Sequence, residues 1–118
     1  MLIRSLDQVN GTERDVSGEG WRSRRLVVAE DGTPYSFHIT VLDRGTRLHF
    51  EYTRHRETVY CIEGKGTISD LATGETITLQ PGGLYSAGIG EPHEIVALSE
   101  MTLACVFTPA LDGSEEAD

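Results

Sequence analysis

In the stretch "HRETVYCIEGKG", residues 55 to 66, a carboxylate stands at the mouth of an apolar run that ends in two spaced glycines. Alternate side chains of a strand point to opposite faces, so Glu57 travels with Val59 and Cys61 while Thr58, Tyr60 and Ile62 point the other way. In "TLACVF" the matching set is Leu103, Cys105 and Phe107. If Val59, Cys61 and Leu103 face a barrel interior, Glu57 faces it too, and a carboxylate there needs a cation or hydrogen bonds. Two readings stand side by side: a solvated charge at a strand end, or a metal ligand at the rim of a β-barrel. Gly64 follows after six intervening residues, and a Pro-Gly turn in "QPGGLY" and the segment "EPHEIV" come later, each ahead of a residue type that can bind a metal.

The elements that must position these residues are short strands. "RRLVV", "YSFHITVL", "TRLHFEYT", "ETVYCI", "GTISDL", "TITL", "LYSA", "HEIVAL" and "TLACVF" are rich in β-branched and aromatic residues and are separated by Gly, Pro and Asp turn signals. Nine such runs with no persuasive helix between them predict an all-β chain, a small jelly-roll barrel. The first 20 residues read as a weakly structured start, with "SGEG" a loop, and residues 111 to 118 as a mobile acidic tail. No repeat or linker interrupts the chain, so residues 1 to 118 are expected to form one domain with one site.

Charge and composition narrow the function classes. The net charge is -9, and it is uneven: residues 1 to 60 hold nine Arg and nine acids, whereas residues 61 to 118 hold one Lys and ten acids. An acidic surface repels phosphate backbones, which argues against nucleic acid as a partner. The single lysine, Lys65, lies between two turn glycines, which argues against Schiff-base chemistry. Cys61 and Cys105 each sit inside an apolar run rather than in a paired spacing, and are expected reduced and buried. No apolar run approaches the roughly 20 residues of a spanning helix, and the start has no secretory pattern, so a cytoplasmic protein is expected.

The spacing of Glu57 and Gly64, with the Pro-Gly turn before "LY" and the later "PHEI", resembles the two motifs of the cupin superfamily. The usual pair of His ahead of the Glu is missing, since Glu51, Tyr52 and Thr53 stand there, and His38, His49 and His55 read as strand or loop histidines. Along the whole chain, "GTERDV", "WRSRRL", "YSFHITVL", "VYCIEGKG", "DLATGE", "PGGLY", "PHEI" and "CVFTPALDG" occur in the order that resembles the ectoine synthase family. That resemblance implies a cupin enzyme closing N-γ-acetyl-L-2,4-diaminobutyrate into the cyclic amidine ectoine with loss of water, in compatible-solute synthesis under osmotic stress.

It also implies a site. The family's iron ligands match Glu57, Tyr85 and His93, a mixed oxygen and nitrogen set suited to Fe(II) or another divalent first-row metal. Read without the resemblance, Tyr85 is a half-buried barrel aromatic and His93 a turn residue after Pro92. Residue-by-residue matching adds Trp21, Arg24, Thr40, Tyr52, Cys105, Phe107 and Glu115 as substrate-binding candidates. Arg24 would clasp a carboxylate with its fork of donors, although "RSRR" alone reads as surface charge. Tyr52 and Glu115 are the proton-transfer candidates, because the reaction needs a base at the amine and an acid at the departing oxygen. Cupins often pair, so a homodimer is expected. Two departures bear on substrate identity: "SAGIGEP" is small and nearly neutral where the family is charged, and Ala117 replaces a family His. The competing readings are another metal-dependent cupin enzyme acting on a small amino-acid-like substrate, and a non-catalytic small-molecule-binding cupin.

Overall fold

Runs of Val, Ile, Thr and aromatic residues pair into ten strands: β1 (Asp15–Gly18), β2 (Trp21–Val27), β3 (Ser36–Leu42), β4 (Arg47–Phe50), β5 (Arg56–Glu63), β6 (Gly66–Asp70), β7 (Thr76–Leu79), β8 (Leu84–Ala87), β9 (His93–Ala97) and β10 (Met101–Thr108). The structure is a computed structural model and describes residues 1–113. The strands form two antiparallel sheets, one ordered β1-β2-β3-β10-β5-β8 and one ordered β4-β9-β6-β7. Their apolar faces meet over Leu42, Val59, Cys61, Ile68, Leu79, Ile95, Met101 and Leu103, all buried. This is the all-β jelly-roll that the alternation predicts, and each of the nine predicted runs contributes a strand.

The chain start departs from expectation. Residues 1–20 contain a one-turn helix, α1 (Leu6–Val9), and the added strand β1, and both are tied down. Arg4 and Arg14 donate to Asp31 at 3.0 and 2.8 Å, and the N–H of Val28 donates to the same carboxylate at 3.0 Å. The Arg14 guanidinium, against the opposing effect of burial and with help from Arg4, holds the Asp31 carboxyl well below the usual carboxylate range. Charged side chains scattered along a polar segment gave no periodic signal, so their convergence on one acid 17 and 27 residues away was not visible.

The tail also departs. Leu111 is buried in the core; its N–H donates to Ser36 Oγ at 3.3 Å and its carbonyl accepts from Ala29 N–H at 2.8 Å. One apolar side chain is enough to pin residues 111–113, whatever the acidity that follows. The remainder of the expected tail, with Glu115 and Ala117, lies outside the described residues.

Gly64 makes the crossing between the sheets possible. It sits at φ +87 between β5 of one sheet and β6 of the other, and a Cβ added there would strike the carbonyl oxygen of Glu100. Left-handed backbone and steric overlap both require glycine. Replacing it, Gly64→Ala, is expected to lower stability by more than about 2 kcal/mol. Urea unfolding checks this, and an unchanged midpoint would contradict the packing described.

Candidate active site

Register places the inward side chains in cross-strand rows. Arg25 on β2 is opposite His38 on β3, His38 is opposite Cys105 on β10, Cys105 is opposite Val59 on β5, and Val59 is opposite Tyr85 on β8. A neighbouring row runs Ser23, Thr40, Leu103, Cys61, and on the other side Phe107 is opposite Glu57. These rows, Cys61 apart, line a cavity of about 220 Å³, closed opposite by Leu48, Phe50 and Ile95 of the second sheet. Such a volume suits a small metabolite and excludes a polymer.

Glu57 is the polar hub at one end. It is 4% exposed and faces inward with Val59 and Cys61, as strand parity predicts. Its Oε1 accepts from Tyr85 Oη at 3.0 Å and lies 3.0 Å from His93 Nε2, and its Oε2 accepts from Tyr52 Oη at 3.3 Å. Tyr85 stands on the neighbouring strand β8, but His93 reaches in from β9 of the opposite sheet, not from an adjacent strand. The trio therefore bridges the barrel. Phe50, Tyr52 and Tyr85 pack around the His93 ring with centroids 5.6 to 6.0 Å away.

The donor chemistry of this trio fits a cation. His93 Nδ1 is 2.9 Å from the Glu91 carbonyl, which can only accept, so Nδ1 carries a proton. The neutral ring then presents the Nε2 lone pair directly to a carboxylate oxygen, an arrangement that demands a proton or a metal between them. Holding the far nitrogen on a backbone carbonyl is how metal-binding histidines are oriented. Among the described residues no three His, Cys, Asp or Glu converge, so the set depends on its phenol oxygen.

Protons occupy these positions when no metal does. Burial opposes charge on His93, but hydrogen bonds to Glu57 and to the Glu91 carbonyl outweigh it and raise the imidazole pKa. Burial and the nearby Glu57 charge push the Tyr85 phenol well above its ordinary value. Burial likewise raises Cys105, whose Sγ donates to Thr40 Oγ1 at 3.7 Å, which makes it an inert wall residue and no nucleophile.

Of the substrate-binding residues expected from the sequence, Trp21, Thr40, Tyr52, Cys105 and Phe107 line the cavity. Arg24 does not. It lies on the opposite face of β2, where its guanidinium approaches Asn10 Oδ1 at 3.5 Å, and the buried cation of the cavity is Arg25, 2% exposed. Trp21 and Arg24 differ by an odd number of positions and cannot share a face of a regular strand, whereas Trp21, Ser23 and Arg25 can. His38 was passed over by the same slip, since it shares parity with Thr40. Glu115 lies outside the described residues. His55 is structural, with Nδ1 donating to the Pro109 carbonyl at 2.8 Å.

Comparison with known proteins agrees with this architecture. The ectoine synthase family model matches residues 1–118. An L-ectoine synthase of Mycobacteroides abscessus is 46% identical over 118 residues, spanning 100% of this chain and 91% of its own. One from Thermobifida fusca is also 46% identical, spanning 100% of this chain and 88% of its own. The crystal structure of ectoine synthase from P. lautus superposes with a TM-score of 0.92 at 38% identity, covering 98% of this chain and 83% of that one. An RmlC-like cupin from Shewanella frigidimarina, 20% identical with a TM-score of 0.70 over 81% of this chain and 82% of its own, shares the fold.

Because the raised pKa values of Tyr85 and His93 mean that a metal must displace protons, affinity for a divalent probe such as Co(II) is expected to fall as pH is lowered. The expected slope is roughly tenfold per pH unit for each proton displaced. Spectroscopic titration between pH 6 and 8 measures it, and Tyr85→Phe is expected to weaken binding and flatten the slope. A pH-independent affinity would mean that the trio is not the site.

Proposed function

The chain belongs to the ectoine synthase family and is an enzyme of that activity, and we propose that the Glu57 end of the cavity, loaded with Fe(II) or another divalent first-row metal, carries out the ring closure. The reaction joins the α-amine of N-γ-acetyl-L-2,4-diaminobutyrate to its own acetamide carbon. A C–N bond forms, the C–O bond breaks, and two N–H protons leave with the oxygen as water. The observation that carries this reading is the meeting of Tyr85 and His93 at Glu57 Oε1, beside a small cavity that Glu57, Tyr85 and Arg25 line. It is favoured over another cupin chemistry or a pure binding role because both the sequence relatives and the matching fold carry the same activity by name.

Glu57, Tyr85 and His93 would hold a divalent iron, which would supply Lewis acidity for polarising the acetamide carbonyl. The chain's own residues do the rest. Arg25, opposite in the barrel, offers its fork of donors to the α-carboxylate, the role that parity removes from Arg24. With the carboxylate and the acetamide held at opposite ends, the diamino acid is curled so that its amine meets its own carbonyl carbon, which converts ring closure into a positioned unimolecular step. Trp21 and Phe107 cover the methylene and methyl groups and exclude water, which favours dehydration over its reversal. Tyr52 Oη, 3.3 Å from Glu57 Oε2, is placed to deliver a proton to the departing oxygen. Glu115 is the candidate base for the amine.

Three coarser expectations join the proposal: cytoplasmic location, a role in compatible-solute synthesis under osmotic stress, and a homodimer. Among the described residues no helix is long and apolar enough to cross a membrane. Tyr60 and Leu84, cross-strand partners on the outer face of the six-stranded sheet, are 45% and 58% exposed and offer apolar surface that a second copy would cover.

Iron-loaded protein incubated with N-γ-acetyl-diaminobutyrate is expected to bind about one metal per chain and to form ectoine without consuming oxygen. Glu57→Ala is expected to lose both while keeping its circular dichroism spectrum; oxygen uptake or a metal-replete variant would sink the assignment. In a paired comparison, Arg25→Lys is expected to raise KM by roughly tenfold or more because the bidentate fork is lost, and Arg24→Lys to leave it within about twofold. Equal effects would remove Arg25 from the carboxylate end.

A further inference from the structure

Tyr85 and His93 stand in different sheets, on β8 and β9, and the chain crosses from one sheet to the other in residues 88–92. The crossing is a tight turn. The N–H of Glu91 donates to the Gly88 carbonyl at 3.2 Å, and Gly90, at φ +76, takes the third position, where such turns favour glycine. This turn is attached to the hub twice: the N–H of Gly90 donates to the Tyr52 carbonyl at 2.8 Å, and the Glu91 carbonyl accepts from His93 Nδ1 at 2.9 Å. It therefore holds the backbone of one partner of Glu57 and the ring of another.

A side chain of the turn locks it. Gly88 is buried, so its N–H needs an acceptor. The Glu91 side chain folds back and supplies one, with Oε2 accepting at 3.1 Å. Space there is tight, because a Cβ added to Gly88 would stand 3.0 Å from Glu91 Oε1 and 3.0 Å from Arg56 Nη2. One residue thus grips both ends: its N–H and carboxylate hold Gly88, and its carbonyl holds His93. Removing the carboxylate bond leaves a buried N–H unpaired and the turn with its longer backbone contact alone.

We propose that Glu91 is a positioning residue for the ring closure: its carboxylate locks the turn that aims its own backbone carbonyl at His93 Nδ1, so that Nε2 keeps its direction toward Glu57. The inference rests on the ring-closure reading for what the trio does, and on the hydrogen bonds alone for how the imidazole is held. An imidazole anchored at Nδ1 cannot rotate without carrying Nε2 off the line to Glu57 Oε1, so freedom gained by the turn is freedom gained by the ring. Through Gly90 the same lock seats Tyr52, which delivers the proton in the proposed reaction. The role uses the oxygen of Glu91 as an acceptor and makes no use of its charge, so an amide oxygen in the same place serves as well.

Three variants of the full chain separate the bond from the charge. Glu91→Ala removes both, Glu91→Gln keeps an oxygen acceptor without the charge, and Gly88→Ala keeps the charge but sets a methyl group against the carboxylate. With histidine nitrogens labelled and Zn(II) added in place of iron to keep lines sharp, proton–nitrogen NMR at pH 7 is expected to show His93 Nδ1–H protected from exchange with water in the native chain and in Glu91→Gln. In Glu91→Ala and Gly88→Ala that proton is expected to exchange at least about tenfold faster. Affinity for Co(II) is expected to fall roughly tenfold or more in the same two variants and to stay within about threefold in Glu91→Gln. Protection retained in Glu91→Ala or in Gly88→Ala, or lost in Glu91→Gln, would overturn the role assigned to the carboxylate bond. If the native chain forms no ectoine while Glu91→Ala still frees Nδ1–H, the ring-closure reading fails and the lock on the imidazole stands. If ectoine forms and no variant changes the protection, the lock fails and the ring-closure reading stands.

Discussion

A buried carboxylate is the constraint around which this barrel is arranged. Glu57 gives its two oxygens to Tyr85, His93 and Tyr52, which reach it from the neighbouring strand, the opposite sheet and the segment after β4. An unpaired ion in that position would cost several kcal/mol, so the partners are a condition of folding as well as a site. The core it shares is largely apolar, with Val59, Cys61, Ile95 and Leu103 among its buried side chains. Low surrounding polarity strengthens each of the hub's contacts and raises the penalty for losing one.

Cross-strand register then divides the cavity by charge. The row from Tyr85 through Val59 and Cys105 to His38 and Arg25 runs from the acid hub to a buried cation with only apolar or neutral groups between. A substrate with a carboxylate at one end and an amide at the other can lie in this gradient in one direction only. Selectivity of this kind follows from strand pairing, and no loop has to close to create it.

How far the sequence foretold this depends on what each residue's role required. Alternation tied Glu57 to the face of Val59 and Cys61 and left open whether it lay inside or at a solvated strand end; the burial of both neighbours decides for the inside. The nine strand runs were plain, being apolar and bounded by turns. Tyr85 and His93 were recognisable only through family resemblance: His93 approaches from the other sheet, and nothing local to "EPHEIV" tells which strand it will face. Arg24 and His38 show a different failure. The information was present in the period of two that links Trp21 to Arg25 and Thr40 to His38, but adjacency in "RSRR" concealed it. Leu111 and the Asp31 cluster were illegible for a third reason, since a single anchor in a polar segment has no period to read.

The hydrogen bonds at Glu57 also explain how the fold holds a buried carboxylate with its own groups. Tyr85 and Tyr52 each donate a hydroxyl proton to the carboxylate, and a proton on His93 satisfies the third contact. The hub is thus paired by the chain's own protons, unlike small domains whose structural zinc supplies the folding energy. A cation entering the site as proposed above would compete with protons for a finished set of donors. Burial and the Glu57 charge favour the protonated form of Tyr85, and hydrogen bonds to Glu57 and the Glu91 carbonyl, against the effect of burial, favour the protonated form of His93, so the fold itself keeps the carboxylate supplied with partners.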